Sequence, residues 1–250
     1  MRILLINPNT SPEMTERAAA EARRCASSGN EIVAVTGDFG CAVIASRASF
    51  AIAAHTVLDL YAKHGASADG VILACFGDPG LAALREISSV PVIGLAAAAV
   101  EEAAEAARPF AIVTAGLAWM PMLGEVVAAT PHAPLFRGVI ALDATGLSLV
   151  REPDRFASEL GRALDRAVAA GAQAIILGGA AFAGAARTLT AGAPLIDPMQ
   201  SAMRAVERAV GQSPARGRPP ARDPCSARGL SPELTSLLAD AAPPARGAVR

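Results

Sequence analysis

The sequence contains few aromatic side chains. Of its 250 residues only 4% are aromatic, with one Trp and one Tyr, although hydrophobic residues reach 52%. Alanine dominates the hydrophobic fraction, which predicts small-residue helices packed closely on a sheet rather than an aromatic ligand groove.

Side chains that bind metals are also scarce. The four cysteines include no CxxC pair, and none of the three histidines lies near a cysteine in sequence. This spacing predicts no metal site and no disulfide framework. Free thiols indicate a reducing, cytoplasmic environment.

Neither charge nor apolar segments point to a large partner. The net charge is −1, and acidic and basic residues are interspersed over the first 210 positions, so we expect no nucleic-acid partner. The amino-terminal apolar run stops at Asn7 and later runs are also short, which predicts no secretory leader and no membrane span. Alanine-rich helical faces are compatible with a homodimer or larger homo-oligomer.

An internal repeat is the most informative feature that the sequence does contain. Residues 71–94 and 175–197 share a pattern of buried strand, Gly-rich turn, short helix and a second strand introduced by proline, and their strands lie 104 positions apart. Cys75 in the first copy corresponds to Gly179 in the second. Two related halves that face each other would place a thiol on one wall of a cleft and none on the other.

Strands and helices alternate along the chain. This pattern predicts an α/β fold with two pseudo-symmetric halves, each a parallel sheet flanked by helices, and a ligand cleft between them. We assign residues 1–95, with a helix at 199–211, to the first half and 96–198 to the second. Residues 212–250 are rich in Pro, Arg and Gly, so we predict a largely disordered tail with a short helix near 231–240.

The candidate cleft residues follow predicted strands. Ligands gather at the carboxyl ends of parallel strands, where the turns present small polar side chains or backbone amides that bind carboxylate and enolate oxygens. The candidates for substrate binding are Asn9, Thr10, Phe76, Gly77, Thr114, Gly179 and Ala180. Cys75 is the candidate acid/base or nucleophile, and we expect the following helix to lower its pKa.

Each polar candidate also has a structural interpretation. Cys75 could be a small buried hydrophobe, and Asn9 and Thr10 could cap the first helix. Asp78 lies in the strong turn sequence Asp-Pro-Gly, yet it is three residues from Cys75 and could orient the thiol or act as a catalytic acid/base itself.

Four segments carry a family resemblance: INPNTS (6–11), which Met14 and Thr15 follow, ACFGDPGL (74–81), IVTAG (112–116) and ILGGAAFAG (176–184). With these segments the chain resembles the aspartate/glutamate/hydantoin racemase family, and most closely its hydantoin-racemase-like branch, over roughly the first 210 residues. The resemblance implies two pseudo-symmetric α/β halves, no metal and no organic cofactor.

The resemblance also implies a two-thiol mechanism. A thiolate from one half removes the proton from a carbon next to a carbonyl, and a thiol from the other half delivers a proton to the opposite face. Racemising members carry the second cysteine in a Gly-Cys-Ala-Gly-type turn, whereas residues 178–181 here read Gly-Gly-Ala-Ala. Asp78, or Cys41 if its loop moves in, is the nearby sequence candidate for a second acid.

We therefore expect a cofactor-independent isomerase of the racemase type that acts through Cys75 on a small carboxylate or cyclic amide, such as an amino acid or a hydantoin. Two alternatives stay open. One is a one-cysteine decarboxylase or isomerase of small carboxylates, because relatives that resemble arylmalonate decarboxylases work with a single cysteine, although theirs lies in the second half. The other is a non-catalytic protein that binds a small anion.

Overall fold

Two parallel β-sheets form the framework of the protein. The computed structural model describes residues 1–105, 107–212 and 227–239. The first sheet contains β1 (Arg2–Asn7), β2 (Glu31–Thr36), β3 (Gly70–Leu73) and β4 (Val92–Gly94) in the order β2-β1-β3-β4. The second contains β5 (Phe110–Ala115), β6 (Phe136–Leu142), β7 (Ala174–Gly178) and β8 (Leu195–Ile196) in the order β6-β5-β7-β8. The two sheets share one winding order, which confirms the predicted α/β fold.

Helices flank the sheets. Those described are α1 (Pro12–Cys25), α2 (Arg47–His64), α3 (Leu81–Ile87), α4 (Leu95–Ala104), α5 (Trp119–Ala128), α6 (Gly146–Arg151), α7 (Pro153–Ala169), α8 (Pro198–Gln212) and α9 (Pro232–Ala239). In α7, Phe156, Leu160 and Leu164 are spaced four apart and pack into the apolar cluster on the second sheet. In the sequence alone this spacing predicts a helix at 153–170.

A single apolar cluster joins the two sheets. It includes Ile3 and Ile72 from the first sheet, Ile112 and Ile176 from the second, and residues of α4 and α8 that pack on each other. β1 is buried on both faces from Ile3 to Asn7, as expected for a central strand of a covered parallel sheet. The cleft residues therefore extend from the ends of strands that a shared core holds together.

The second copy of the repeat differs from the prediction after its strand. In place of the short helix that we expected, the chain makes two 3₁₀ turns, Ala180–Phe182 and Ala185–Arg187. Gly184 separates them with a φ of +78°, a left-handed conformation that ends the first turn. The first copy does form a helix there, α3, so the repeat is structural at its strands and not at its helices.

Two further helices, α6 and α9, are short. The prediction omitted α6, which begins with a capping box in which Thr145 and Ser148 each accept a hydrogen bond from the other's backbone N–H. α9 lies within the range predicted for a helix in the tail and packs on α2. Positions 213–226 and 240–250 of the predicted disordered tail lie outside the described residues. No helix in the described ranges is long and apolar enough to cross a membrane.

Candidate active site

A cavity of about 150 Å³ lies between the carboxyl ends of the two sheets. Both sheets contribute to its wall, as the sequence predicted for a cleft between the halves. Its lining residues are Asn9, Ser11, Met14, Ala42, Val43, Ile44, Ala74, Cys75, Phe76, Thr114, Ala115, Trp119, Gly146, Gly178, Gly179, Ala181 and Phe182. Five of the nine predicted site residues therefore line it: Asn9, Cys75, Phe76, Thr114 and Gly179.

The turn between β1 and α1 holds Asn9 in a fixed orientation. Oδ1 of Asn9 accepts hydrogen bonds from Nδ2 of Asn7 (2.8 Å) and from the backbone N–H of Ser11 (2.9 Å). Asn7 is itself buried and donates to Oγ1 of Thr15 at 2.9 Å. No described residue accepts a hydrogen bond from Nδ2 of Asn9, so this amide donor is available to a ligand in the cavity.

Thr10 has a different role from the ligand contact that we expected. Its backbone N–H donates to the carbonyl of Cys41 at 3.1 Å, and the residue lies outside the described lining of the cavity. This bond ties the loop at 37–46 to the β1–α1 turn. The loop in turn places Ala42, Val43 and Ile44 against the cavity, so Thr10 shapes the site through the loop.

Cys75 follows the end of β3 by two residues. The residue is half-buried and lines the cavity. Burial, with a further contribution from the negative charge of Asp78, raises the pKa of the thiol to about 12. The expectation of a lowered pKa was wrong. The reason is geometric, because α3 begins only at Leu81 and the intervening turn buries the sulfur beside a carboxylate instead of exposing it to a helix amino terminus. The resting thiol therefore keeps its proton at neutral pH.

Phe76 and Gly77 pack the Cys75 turn against the second sheet. A Cβ atom at Gly178 would lie 2.5 Å from the Phe76 ring, so the ring rests directly on the backbone at the end of β7. Gly77 has a φ of +111°, and a Cβ atom there would lie 2.8 Å from the Trp119 ring. Phe76 therefore lines the cavity, whereas Gly77 lies outside the described lining and packs against the Trp119 ring.

Asp78 caps a helix. Its carboxylate accepts hydrogen bonds from the backbone N–H groups of Ala96 (3.1 Å) and Ala97 (2.8 Å), in the first turn of α4. Burial raises its pKa to about 6, although these two donors and the charge of Arg85 act in the opposite direction. The side chain lies outside the described lining, which favours a positioning role for Asp78 over contact with a substrate.

The opposite wall consists of Thr114 and the turn after β7. The Thr114 hydroxyl donates to the carbonyl of Gly178 at 2.7 Å, which leaves its oxygen free to accept a hydrogen bond from a ligand. Gly179 has a φ of +125°, and a Cβ atom there would meet only Oγ1 of Thr114, at 4.0 Å. This wall therefore has room for a side chain and carries none. The backbone of Ala180, the remaining predicted residue, begins the first 3₁₀ turn.

Apolar side chains form much of the wall, and sequence reasoning missed them. Met14, Trp119 and Phe182 line the cavity together with Val43 and Ile44 of the loop. Cys75 is the one ionisable side chain among the described lining residues. Arg47, at the start of α2, is outside the described lining and pairs with Glu125 of α5. No group of three or more His, Cys, Asp or Glu residues in the described ranges could hold a metal ion.

The fold and the site define a class of protein: two equivalently wound α/β sheets that enclose a small, mostly apolar cavity with a cysteine on one wall. The sequence profile of the Asp/Glu/hydantoin racemase family matches residues 3–206. The chain belongs to this family.

Individual relatives agree with this assignment. The chain is 35% identical to hydantoin racemase from Paenarthrobacter aurescens over 216 residues, which cover 84% of this chain and 91% of that protein. Among solved structures, it is similar to allantoin racemase from Klebsiella pneumoniae, with a TM-score of 0.82, 34% identity, and coverage of 95% and 98% of the two chains. Allantoin racemase from Pseudomonas fluorescens aligns with a TM-score of 0.77 and 28% identity, over 84% and 91% of the two chains.

Proposed function

We propose that the protein is a cofactor-independent isomerase of the racemase type that exchanges the proton at C5 of a neutral cyclic amide, a hydantoin with an apolar C5 substituent. The observation that carries the proposal is a ring-sized cavity in which the Cys75 thiol is the one ionisable group among the described lining residues. A free carboxylate substrate would enter this cavity without a cationic partner, and burying an unpaired charge is costly.

The size and polarity of the cavity fit such a ring. A dry apolar cavity of roughly 150 Å³ accommodates a molecule the size of benzene. The Asn9 amide can donate to a ring carbonyl, and the Thr114 oxygen can accept from a ring N–H. Met14, Trp119 and Phe182 favour an alkyl or aryl substituent over a charged one. Hydantoin and allantoin share this ring, and the relatives named for them are those compared above.

The chemistry that we propose begins with loss of the Cys75 proton to solvent. The thiolate then takes the hydrogen from C5, and the electron pair of the C–H bond moves into the adjacent carbonyl to form an enolate. Return of a proton from Cys75 restores the starting enantiomer. Inversion needs a proton from the opposite wall, where Gly179 offers no acid, so we expect water in the open space beside Thr114 to supply it slowly. Asp78 contributes by placing the Cys75 turn on α4 and by raising the thiol pKa.

A one-way proton donor is the second candidate, favoured by the protonated state of Cys75. A thiol that keeps its proton can deliver it once to a carbanion left by loss of carbon dioxide from a malonate. The two candidates differ in pH dependence. Proton abstraction needs the thiolate, so its rate should rise about tenfold per pH unit from pH 7 to 10, as expected for a group with a pKa near 12. Donation from the thiol should be independent of pH in this range.

The first test is isotope exchange with a single enantiomer of 5-methylhydantoin in D₂O. NMR measures deuterium at C5 and chiral chromatography measures inversion, each corrected for the uncatalysed rate at the same pH. We expect exchange faster than inversion in the wild type. Cys75→Ser should lower exchange by about 10²–10⁴-fold, the usual effect of removing an acid/base group. Cys41→Ser is the matched control, since Cys41 belongs to the loop at 37–46 and its side chain lies outside the described lining.

Gly179→Cys tests the opposite wall. A thiol at this position should raise the inversion rate by about 10²-fold, because it supplies the missing acid. The variant should be less stable by about 1–2 kcal/mol, since a side chain at a positive φ is strained. Unchanged exchange in Cys75→Ser would remove the thiol from the reaction, and faster exchange of aspartate than of the hydantoin would refute the substrate class.

A further inference from the structure

One face of α1 makes a row of polar contacts to the second half of the protein. Glu13, Arg17 and Glu21 are spaced four apart and therefore lie above one another on the helix. Glu13 pairs with Arg151 at 3.2 Å, Arg17 donates to the carbonyl of Ala181 at 3.0 Å, and Glu21 pairs with Arg187 at 2.6 Å. The start of the same helix contributes Met14 to the cavity. The helix thus connects one wall of the cavity to the other.

Glu21 is the buried member of this row. Its side chain is 6% exposed, whereas that of Glu13 is 47% exposed. Arg24 of the same helix donates to Glu21 from Nη2 (2.6 Å) and from Nε (3.1 Å), and Arg187 reaches it from the second half. Burial alone would raise the pKa of Glu21, but the hydrogen bonds from the two arginines lower it to about 2. The carboxylate is therefore ionised and paired on both sides at any working pH.

Arg187 ends the segment that forms the second wall. This segment, 178–187, begins with Gly178 and Gly179 and includes the lining residues Ala181 and Phe182. The pair also touches the segment's backbone, because a Cβ atom at Gly184 would lie 2.6 Å from Nη2 of Arg187 and 2.8 Å from Oε2 of Glu21.

Asp197 holds the backbone of the segment at Gly184, close to Arg187. Its Oδ2 accepts a hydrogen bond from the N–H of Gly184 at 2.6 Å, and its Oδ1 accepts one from the N–H of Met199 at 2.9 Å, in the first turn of α8. Two polar contacts join this segment to α1: Arg17 donates to the carbonyl of Ala181, and Arg187 pairs with Glu21. The second contact involves the buried carboxylate and lies against Gly184.

We infer that Glu21 is a positioning residue for the active site: through Arg187 it sets the distance between the segment 178–187 and the Cys75 wall. It touches no substrate in this role. The inference concerns the same cavity as the proposed function, and only its kinetic consequence rests on that function.

The test measures how readily the cavity opens, with no need for a substrate. Glu21→Gln and Arg187→Gln are treated with N-ethylmaleimide, and the modification of each cysteine is followed by mass spectrometry of its peptide. We expect the rate at Cys75 to rise roughly fivefold to tenfold in both variants, as for a local opening that a broken contact favours. Glu16→Gln is the matched control on α1, since Glu16 is 72% exposed and pairs with Arg23. It should leave the rate unchanged.

Cys41 distinguishes local opening from general loosening. It lies in the loop between β2 and α2, whereas the described side-chain partners of Glu21 are Arg24, Cys25 and Arg187, so its modification rate should be the same in all variants. A wild-type rate at Cys75 in both Gln variants would overturn the inference. Equal acceleration at Cys41 and Cys75, or failure of both variants to fold, would also overturn it, because the pair would then serve stability alone.

The kinetic readout is separate. In the hydantoin exchange assay, the exchange rate of Glu21→Gln and Arg187→Gln should fall. The Glu16→Gln control should keep the wild-type rate and the wild-type KM. Should the wild type show no exchange, the proposed function fails, and the maleimide rates still decide the role of Glu21.

Discussion

At the scale of single residues, Asp78 shows how a turn sequence serves a distant helix. It adopts a φ of +58°, which a non-glycine residue rarely does, and this conformation presents its carboxylate to α4. Gly94, at the start of α4, leaves room for that carboxylate, since a Cβ atom there would collide with it. The strained backbone of Asp78 and the close approach of its carboxylate to Gly94 are therefore required to connect the Cys75 turn to α4.

Asp78→Asn should change the pH dependence of stability. The pKa of Asp78 is about 6 in the folded protein, above the reference value of 3.8, so the unfolded chain releases this proton first as pH rises. The folded state therefore loses stability between about pH 4 and pH 6 in the wild type. The Asn variant cannot ionise and should lack this contribution. Its lost hydrogen bond at the helix start should cost about 1 kcal/mol at pH 4.

Thermal unfolding from pH 4 to pH 7 measures this effect as the difference in Tm between wild type and variant. That difference should shrink as pH rises, because the wild type loses the advantage of its protonated carboxyl. Asp143→Asn is the control, since Asp143 is exposed. Parallel pH curves for wild type and Asp78→Asn would contradict the assigned pKa.

The sequence predicted those site residues whose position depends on one strand. Cys75 and Thr114 follow or end buried strands, and parallel strands must bring such residues to one edge. The partner of Asp78 could not be predicted in this way, because the N–H groups of Ala96 and Ala97 arrive with α4, after another helix and strand. Trp119 was missed because an apolar side chain gives no chemical signal.

At the scale of elements, α9 is a short helix attached to the first half. Its Leu234 is 1% exposed, and Leu237 and Leu238 pack against the apolar cluster around β1 and β3. The helix has only eight residues, too few to be stable alone in water. Packing against α2 therefore stabilises α9, and α9 in turn shields part of α2 from solvent.

Leu234→Ala should lower the free energy of unfolding by about 2–3 kcal/mol, the usual cost of removing a buried leucine side chain at a site that can partly relax. Proton exchange at the substrate should stay at the wild-type rate, because no residue of α9 belongs to the described lining of the cavity. Urea denaturation and the hydantoin assay measure the two quantities. Ser236→Ala, at an exposed position of the same helix, should change neither. A large loss of activity would instead connect α9 to the cleft.

The bounds of two helices could be predicted closely from the sequence, whereas the structure after β7 could not. The sequence pattern predicts helices at 81–87 and 153–170; α3 has the first of these bounds, and α7 ends one residue before the second. After β7, by contrast, the second copy of the repeat has the apolar content of a helix but forms two 3₁₀ turns. Gly184 separates the two turns, and its N–H donates to the carboxylate of Asp197 rather than to a helical carbonyl. This preference arises from tertiary contacts that a local pattern does not contain.

At the scale of the whole molecule, the two sheets are distinct in topology and joined in their packing. β5 follows α4, and α8 returns from the second sheet to pack on β3 and β4 of the first. The shared apolar cluster contains residues of both sheets, including Phe110 and Met203, which are fully buried. Two domains that shared only a polar interface would move and unfold separately. A common core of this kind favours a single cooperative unit.

Leu164→Ala tests that cooperativity from a position outside the shared cluster. Leu164 lies on α7 and packs in the apolar cluster of the second sheet alone, so its truncation should cost about 2–5 kcal/mol there. In a single unit, the amide protons of β1 and β5 exchange through the same global unfolding, and both should lose protection by the same free energy. Native-state hydrogen exchange with mass spectrometry of the two strands measures this, and Trp119 fluorescence follows the urea transition. Loss of protection confined to β5 would show that the halves unfold independently, and the distance between Cys75 and the opposite wall would then depend on the α1 contacts far more than on the core.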